Sequence, residues 1–502
     1  MSDLFGNLVH GFEVALSLQN LGLCFVGALL GTLVGALPGV GPIATIALLL
    51  PITFKLDPTG ALIMLAGIYY GAQYGGSITA ILMNLPGEIS SVVTTLDGHA
   101  MARDGRAGEA LTIAAVGSFV AGTLTTIMIA VAAPPLAKVA QAFHPADYFS
   151  LLFFGLVLAT ILAHGPMLKG IAMVLLGVFF SLVGSDVDIG AMRYTLGFPD
   201  LADGIGFVPL VMGLFGIAEI ASNLEKNTGL SASLSGRISK LSVPWASWKR
   251  AIPAIFRGTG IGAVLGLLPG SGNILGAFAS YLLEKRISKN PKEFGKGAIE
   301  GVAAPESANN AGAQAAFIPM LTLGIPPNAV LAMMVGALTI HGITPGPQVI
   351  TTNPDLFWGL VASMWLGNLM LLVINLPLIG MWVKLLDLPY KFLFPAIVLF
   401  CCVGAYAVTN SAFDVYLTAF FGVFGYLLLK LGFEPAPLVL GFVLGSPMEE
   451  NFRRALLLSR GDAMTFITHP ISLTLLVATI ALLIVTLMPK IARFRDDAVG
   501  DS

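Results

Sequence analysis

The stretch GALLGTLVGALPGVGPI, residues 27–43, recurs as GTGIGAVLGLLPGSGNI, residues 258–274, without a gap and at one constant offset. Gly27, Gly31, Gly35, Leu37, Pro38, Gly39, Gly41 and Ile43 return as Gly258, Gly262, Gly266, Leu268, Pro269, Gly270, Gly272 and Ile274. Each copy joins two devices. A glycine every fourth residue makes one helix face small, so that a second helix can pack closely against it. The P-G-x-G that follows breaks the helix, because glycine takes left-handed backbone angles and tolerates close approach. A proline can then start the next half-helix without wasting a donor. A weaker echo follows each copy: GAQYGGSITAILMNLPG begins at Gly71, GAQAAFIPMLTLGIPPN at Gly312, and both end at a proline break (Pro86; Pro326 and Pro327).

The surrounding composition says where such breaks lie. Of the 502 residues, 56 % are hydrophobic and only 11 % charged, against about 25 % charged in soluble domains. The mean hydropathy is +0.87. A soluble chain this apolar would expose large greasy patches, so the composition indicates a protein that crosses a membrane many times. The net charge of −2 and the lack of a dominant basic cluster exclude a nucleic-acid binder. Cys24, Cys401 and Cys402 all lie in apolar runs and read as small buried hydrophobes rather than disulfide partners. The first residues, MSDLFGNLVHGFEVALS, lack a basic n-region, so no cleaved signal peptide is expected. There is no G-x-x-x-x-G-K-[ST], no H-E-x-x-H, no Cys/His set with metal-ligand spacing and no G-x-S-x-G. Direct ATP hydrolysis, metalloenzyme chemistry and serine hydrolysis drop out, and the chain reads as a non-enzyme.

Apolar runs at 60–83, 111–133, 149–163, 168–184, 205–222, 356–380, 392–409, 412–430 and 470–488 approach spanning length, taken as about 20 residues. Shorter pieces at 20–37, 43–54, 258–268, 273–283, 311–325, 329–341 and 435–446 flank Gly/Pro breaks and read as half-helices. Charge sets the orientation. The stretch from Glu225 to Arg257 carries Lys226, Arg237, Lys240, Lys249, Arg250 and Arg257, and 284–296 adds Lys285, Arg286, Lys289, Lys292 and Lys296, so both are expected on the cytoplasmic side. The loop 97–110 and the tail after Pro489 join them, and the acidic loop 185–204 goes outside. Four spans separate the two basic loops 97–110 and 223–257, and an even number returns the chain to the same side.

The two hairpins then enter from opposite faces. Segment 258–283 begins and ends at basic flanks and is expected to re-enter from the cytoplasm, whereas 20–55 precedes a single full span and opens outside. This is the pattern of an inverted-topology repeat. The expected fold is an all-α polytopic membrane protein with about 10–14 membrane segments in two such repeats. The first repeat, 1–222, holds hairpin 20–55, a broken helix 60–86 and spans 111–222. A basic cytoplasmic linker, 223–257, follows. The second repeat, 258–488, holds hairpin 258–283, a broken helix 309–341 and spans 356–488, and 489–502 is a cytoplasmic tail.

A hairpin tip inside a bilayer leaves backbone groups without helical partners and persists only where it lines a cavity. The half-helix that starts after each tip points its positive end at the membrane midplane, where a carboxylate is the natural partner. The candidate substrate-binding residues are therefore Pro38, Gly39, Val40, Gly41 and Pro42 in the first tip and Pro269, Gly270, Ser271, Gly272 and Asn273 in the second. Ser77, Asn84, Pro86 and Gly87, together with Asn310, Thr322, Pro326, Pro327 and Asn328, join them from the broken helices. Gly75, Gly76, Thr79 and Gly324 are candidates for a coupling ion, since freed carbonyls can coordinate Na⁺. The glycine ladders themselves read as helix packing. Glu219 and Asp414 lie in or near apolar spans and fit either a functional role or a helix end. His144, His164, His341 and His469 read as interfacial, and Glu449-Glu450 with Arg453-Arg454 as a solvated face paired at helical spacing.

With LPGVGP, LPGSGN, GAQYGGSITAILMNLPGE and PESANNAGAQAAFIPMLTLGIPPN in view, the chain resembles the TctA family, the large membrane subunit of bacterial tripartite tricarboxylate transporters. The resemblance extends from about residue 10 to 490. It implies a secondary carrier importing citrate-like tricarboxylates or related organic carboxylates on a Na⁺ or proton gradient, with no other cofactor. It implies two partners in the bacterial inner membrane and periplasm: a small TctB-like membrane subunit and a TctC-like solute-binding protein that delivers substrate. By analogy it suggests an elevator mechanism, in which a transport domain slides against a scaffold.

Overall fold

A computed structural model of the chain describes residues 2–36, 41–84, 87–162, 166–186, 189–225, 241–270, 272–385 and 390–487. In chain order the helices are α1 (Ser2–Ala15), α2 (Leu18–Gly35), α3 (Pro42–Thr53), α4 (Pro58–Met83), α5 (Val92–Arg103), α6 (Ala107–Ala140), α7 (Pro145–Leu162) and α8 (Met167–Ser181). A two-stranded hairpin, β1 (Gly184–Ser185) and β2 (Met192–Arg193), leads to α9 (Phe207–Val211), which runs through a π-helical turn, Met212–Ile217, into α10 (Ala218–Glu225). Then come α11 (Trp245–Leu265), α12 (Gly272–Ile287), α13 (Glu300–Ala315), α14 (Phe317–Leu323), α15 (Ala329–Ile340), α16 (Val349–Thr352), α17 (Pro354–Asn375), α18 (Ile379–Leu385), α19 (Tyr390–Thr409), α20 (Ala412–Lys430), α21 (Ala436–Leu458), α22 (Thr465–Thr468) and α23 (Pro470–Leu487). The chain is an all-α membrane protein. Among the described residues α2, α6, α17 and α20 are long and apolar enough to cross a membrane.

Two seams of glycine organise the core. A Cβ placed on Gly27, Gly31 or Gly35 of α2 would run into the carbonyl oxygens of Met64, Ile68 and Ala72 of α4. A Cβ on Gly258, Gly262 or Gly266 of α11 would meet those of Ala304, Ala308 and Gly312 of α13 in the same way. At each position only hydrogen fits between the backbones, so the ladders act as packing surfaces, as expected. With the other helices packed around them, α4 is buried from Thr59 to Ile81 and α13 from Gly301 to Ala315 along the whole circumference. A third seam, between Gly177 of α8 and Gly441 of α21, escaped the sequence reading because its glycines stand alone rather than in a ladder.

The basic segments gather at one end. Asp97 Oδ1 accepts the backbone N–H groups of Gly295, Lys296, Gly297 and Ala298 at 2.8–3.1 Å, and Arg106 donates to the Gly297 carbonyl at 3.2 Å. Arg250 pairs with Glu293 and Glu300, and Arg257 grips Glu284 at 2.6 and 2.7 Å. Loops 97–110 and 284–300 and the start of α11 therefore share one end of the molecule.

Several expected boundaries change. Gly75 and Gly76 do not interrupt α4, which is continuous from Pro58 to Met83; Gly75 is there because the backbone of Thr32–Ala36 presses against it. The second long segment starts at Glu300 rather than Asn309, and its break lies at 324–328. The outgoing arm of the second hairpin begins at Trp245, inside the segment expected to be linker, and runs for 21 residues. The first arm, α2, has 18 residues and is itself of spanning length. Only the return arms are short: α3 with 12 residues rises roughly 18 Å, well below the roughly 30 Å of a hydrocarbon core. The apolar run 435–446 extends to Leu458 and takes in Glu449 and Arg453. Arg453 pairs with Glu449 at 2.7 Å, and Arg193 joins the same carboxylate at 2.7 Å, so the expected helical pairing also ties the β1–β2 loop to α21. The tail 488–502 and most of 223–240 lie outside the described residues.

Candidate functional site

The two Gly/Pro breaks meet. Gly41 and Pro42, at the start of α3, line a cavity of about 260 Å³ together with Gly270, Asn273 and Ile274 at the start of α12. Asn328, Ala329 and Val330 of α15 and Ala436 and Pro437 of α21 complete the wall with Gly87, Tyr69 and Pro327. Four helices thus begin at one cavity. Each N-terminus carries unsatisfied N–H groups and roughly half a positive charge.

The closure is tight and specific. Gly270 has φ +104°, a conformation open to glycine, and donates its N–H to the Pro327 carbonyl at 2.7 Å. That bond ties the second tip to the break between α14 and α15. Asn328 caps α15, accepting the Leu331 N–H at 3.0 Å, and donates to the Tyr69 hydroxyl at 3.1 Å. Asn273 reaches Asn309 at 3.3 Å. Gly87 is wedged against Gly35 and Gly76, with no room for a side chain.

Of the expected substrate residues, Gly41, Pro42, Gly87, Gly270, Asn273, Pro327 and Asn328 line this cavity. Pro38, Gly39, Val40, Pro86 and Ser271 lie outside the described residues. Pro269, Gly272 and Pro326 flank the tips without lining the cavity, and Gly272 packs against Leu265 to close the hairpin. Asn84 ends α4 in a left-handed conformation, φ 56°. Thr322 spends its hydroxyl on the Ile318 carbonyl at 2.7 Å. Asn310 donates to Ser118 at 2.7 Å. Among the ion candidates, Thr79 bonds the Gly76 carbonyl at 3.0 Å and Gly324 is the left-handed cap of α14, φ 74°, so these positions serve helix geometry.

The cavity also holds acids. Glu88, Glu219 and Glu434 line it beside the four helix starts, and no Lys or Arg does among the described residues. Glu219 is therefore a cavity residue. Asp414 resolves the other way: it sits in the first turn of α20 and accepts the Thr409 hydroxyl at 2.6 Å, a helix-end role. A fourth acid, Glu306 of α13, is fully buried away from the cavity; Ser77 and Thr94 each donate to its carboxylate at 2.5 Å. Ser77 and Thr94 belong to α4 and α5, so this carboxylate joins the two halves of the chain.

Among the described residues one group of side chains has metal-ligand types within reach of one another: His144, Asp147 and His469. Asp147 already accepts the backbone N–H groups of His144 and Ser472, both at 2.9 Å, and so clamps the start of α7 to α23. The rings of the two histidines lie 4.7 Å apart, tilted by 48°, at the segment ends.

The sequence matches the Tripartite tricarboxylate transporter TctA family over residues 21–440. The chain belongs to the TctA family. Two relatives from Agrobacterium vitis extend the match. An uncharacterized 52.8 kDa protein in the TAR-I ttuC′ 3′ region is 54 % identical over 496 residues, 99 % of each chain. An uncharacterized protein in the TAR-II ttuC′ 3′ region is 58 % identical over 235 residues, 47 % of this chain and 97 % of that one. No solved structure matches the chain. TctA is a transporter family, so this chain is a membrane transport protein of a tripartite system rather than an enzyme. In this TctA protein the tip residues were visible as Gly/Pro breaks. Glu88, Glu306 and Glu434 were not singled out: Glu88 directly follows the LPG that ends the first broken segment, Glu306 lies in the quoted PESANN, and Glu434 directly precedes the Pro-x-Pro that opens α21. An acid next to a proline or a proline break within a membrane segment is the signal that could have found all three.

Proposed function

We propose that the chain is the carrier subunit that imports citrate-like tricarboxylates, or related organic carboxylates, through the cavity between its two hairpin tips. The convergence of four helix N-termini on one cavity carries this reading. Their N–H groups and dipoles favour an anion without a fixed arginine that would hold it too tightly for release. The volume suits a small acid rather than a drug-sized ligand, for which roughly 300–1,000 Å³ is usual.

The acids explain why transport would need a gradient. A carboxylate substrate entering beside Glu88, Glu219 and Glu434 meets like charge, and a proton or Na⁺ taken up with it offsets that repulsion. Symport then follows from charge balance. The repeated hairpin with its matching glycine seam supports an inverted-repeat carrier that moves as an elevator. The tripartite assignment of the family supports a small TctB-like membrane subunit and a periplasmic TctC-like binding protein as partners in the bacterial inner membrane and periplasm, and Lys490, Arg493 and Arg495 favour a cytoplasmic tail.

The test is reconstitution in vesicles with both partners, measuring labelled citrate and a panel of di- and tricarboxylates against imposed Na⁺ and proton gradients. Saturable uptake that depends on one of the gradients and on the binding protein is expected. Uptake indifferent to both gradients, or flux that does not saturate, overturns the carrier reading, the latter in favour of a channel.

A further inference from the structure

We propose that a monovalent metal cation of Na⁺ size binds in a small pocket lined by Tyr74, Ser77, Ser118 and Asn375, beside the buried carboxylate of Glu306. The inference rests on the transport reading only for its purpose, which would be to carry the coupling ion; the site itself is argued from geometry.

The pocket measures about 20 Å³, room for one water-sized particle. Tyr74 and Ser77 come from α4, Ser118 from α6 and Asn375 from α17, and the rest of the wall is aliphatic. All four polar side chains are at most 5 % exposed. The Tyr74 hydroxyl and Asn375 Oδ1 have no hydrogen-bond partner among the described residues. Two orphaned buried oxygens at one small hole are costly unless something fills it. Ser77 and Ser118 add two more oxygens whose lone pairs are not all spent: Ser77 donates its proton to Glu306, and Ser118 receives one from Asn310.

The charge nearby decides between water and a cation. Glu306 is 0 % exposed, and among the described residues its carboxylate accepts only hydroxyl protons, from Ser77 and Thr94, and has no basic partner. A buried carboxyl group is tolerated when it is protonated, paired or beside a bound cation. Ser77 touches both the carboxylate and the pocket, so a cation in the pocket sits one hydroxyl away from the charge it neutralises. Hard oxygen ligands of hydroxyl and carbonyl type suit an alkali or alkaline-earth ion, and the single carboxylate matches one positive charge rather than two. The pocket joins α4 and α6 to α17, with Glu306 of α13 behind it, so occupancy would bind both halves of the chain together.

The full chain, purified into lipid nanodiscs, tests this by thermal unfolding in NaCl titrated against choline chloride at fixed ionic strength, with KCl in parallel. The expected result is a saturable rise in Tm with Na⁺, absent with choline and displaced to higher concentration with K⁺. Ser118→Ala and Asn375→Leu should each raise the half-saturating Na⁺ concentration by about tenfold, and Glu306→Gln should abolish the response. If Glu306→Gln does not fold, the two milder variants carry the test. A melting temperature that ignores Na⁺, or a half-saturation unchanged in both Ser118→Ala and Asn375→Leu, overturns the site. The two readings separate cleanly. Proton-driven carboxylate uptake with no Na⁺ shift sinks the cation pocket and leaves the carrier standing; a site-dependent Na⁺ shift without carboxylate uptake does the reverse.

Discussion

The seam between α2 and α4 and the seam between α11 and α13 are built alike and filled differently. In both, three glycines four residues apart bring one backbone against the carbonyl oxygens of another helix. In the first, the buried partner helix α4 presents Tyr69, Tyr70, Gln73, Tyr74 and Ser77 and carries no charge. In the second, α13 presents Glu306, Asn309, Asn310 and Gln314 and holds the carboxylate that reaches across to Ser77 and Thr94. The shared part sets the spacing, and the part that differs places polar chemistry in the interior. A carrier needs both, because a buried charge is affordable only where close packing fixes every donor around it.

The most damaging change should therefore fall on the shared part. Gly262→Val or Gly31→Val drives a side chain into the carbonyl of Ala308 or Ile68, and backbone cannot step aside. A loss of about 3 kcal/mol or more is expected in either seam, read as failure to recover folded protein from the membrane. Equal loss in both seams would establish their equivalence; tolerance in one would break it.

Next comes the part that differs. Glu306→Leu strands the Thr94 hydroxyl without an acceptor, a cost of about 1–3 kcal/mol, leaves Ser77 only the Gln73 carbonyl at 3.0 Å, and should abolish uptake. Gln73→Leu on the uncharged side removes an amide whose Nε2 lacks a partner among the described residues and whose Oε1 accepts only a long 3.4 Å bond from Ser90, so its cost should be smaller. The ratio of the two Tm shifts measures how far the second seam depends on its charge.

The seams were legible in the sequence because a glycine ladder has one physical use in a membrane, and the P-G-x-G breaks were legible because no helix continues through them. Cavity acids were not. Nothing in Glu88 or Glu434 as isolated letters says that the loops holding them converge on the same helix starts as residues 41 and 270. The misplaced interruption at Gly75-Gly76 has the same origin: glycine marks either a broken helix or a close neighbour, and only the position of Thr32 decides. Arm lengths failed where polar residues such as Lys249 and Arg250 continue a helix beyond its apolar run.

A smaller effect separates the cavity from both seams. Asn328→Ala removes the cap of α15 and the bond to Tyr69. Stability should fall by about 1 kcal/mol, while KM for the carboxylate rises. Asn328→Asp keeps the capping oxygen and adds a negative charge at the cavity, so Tm should recover and uptake should not. Recovery of both would mean that Asn328 serves the helix alone.

The smallest expected effect is the sharpest control on the seams. Gly260 lies between Gly258 and Gly262 on the same helix, but a Cβ added there meets nothing within 4 Å. Gly260→Ala should thus be neutral or stabilise α11 by about 0.5–1 kcal/mol, since alanine loses less backbone entropy than glycine in a helix. Measured beside Gly262→Val, it asks whether glycine on α11 is required by helix geometry or by the facing backbone. A destabilisation at Gly260 comparable to that at Gly262 would mean that the whole helix, and not one face of it, is held against a neighbour, and the seam would lose its meaning as a one-sided contact.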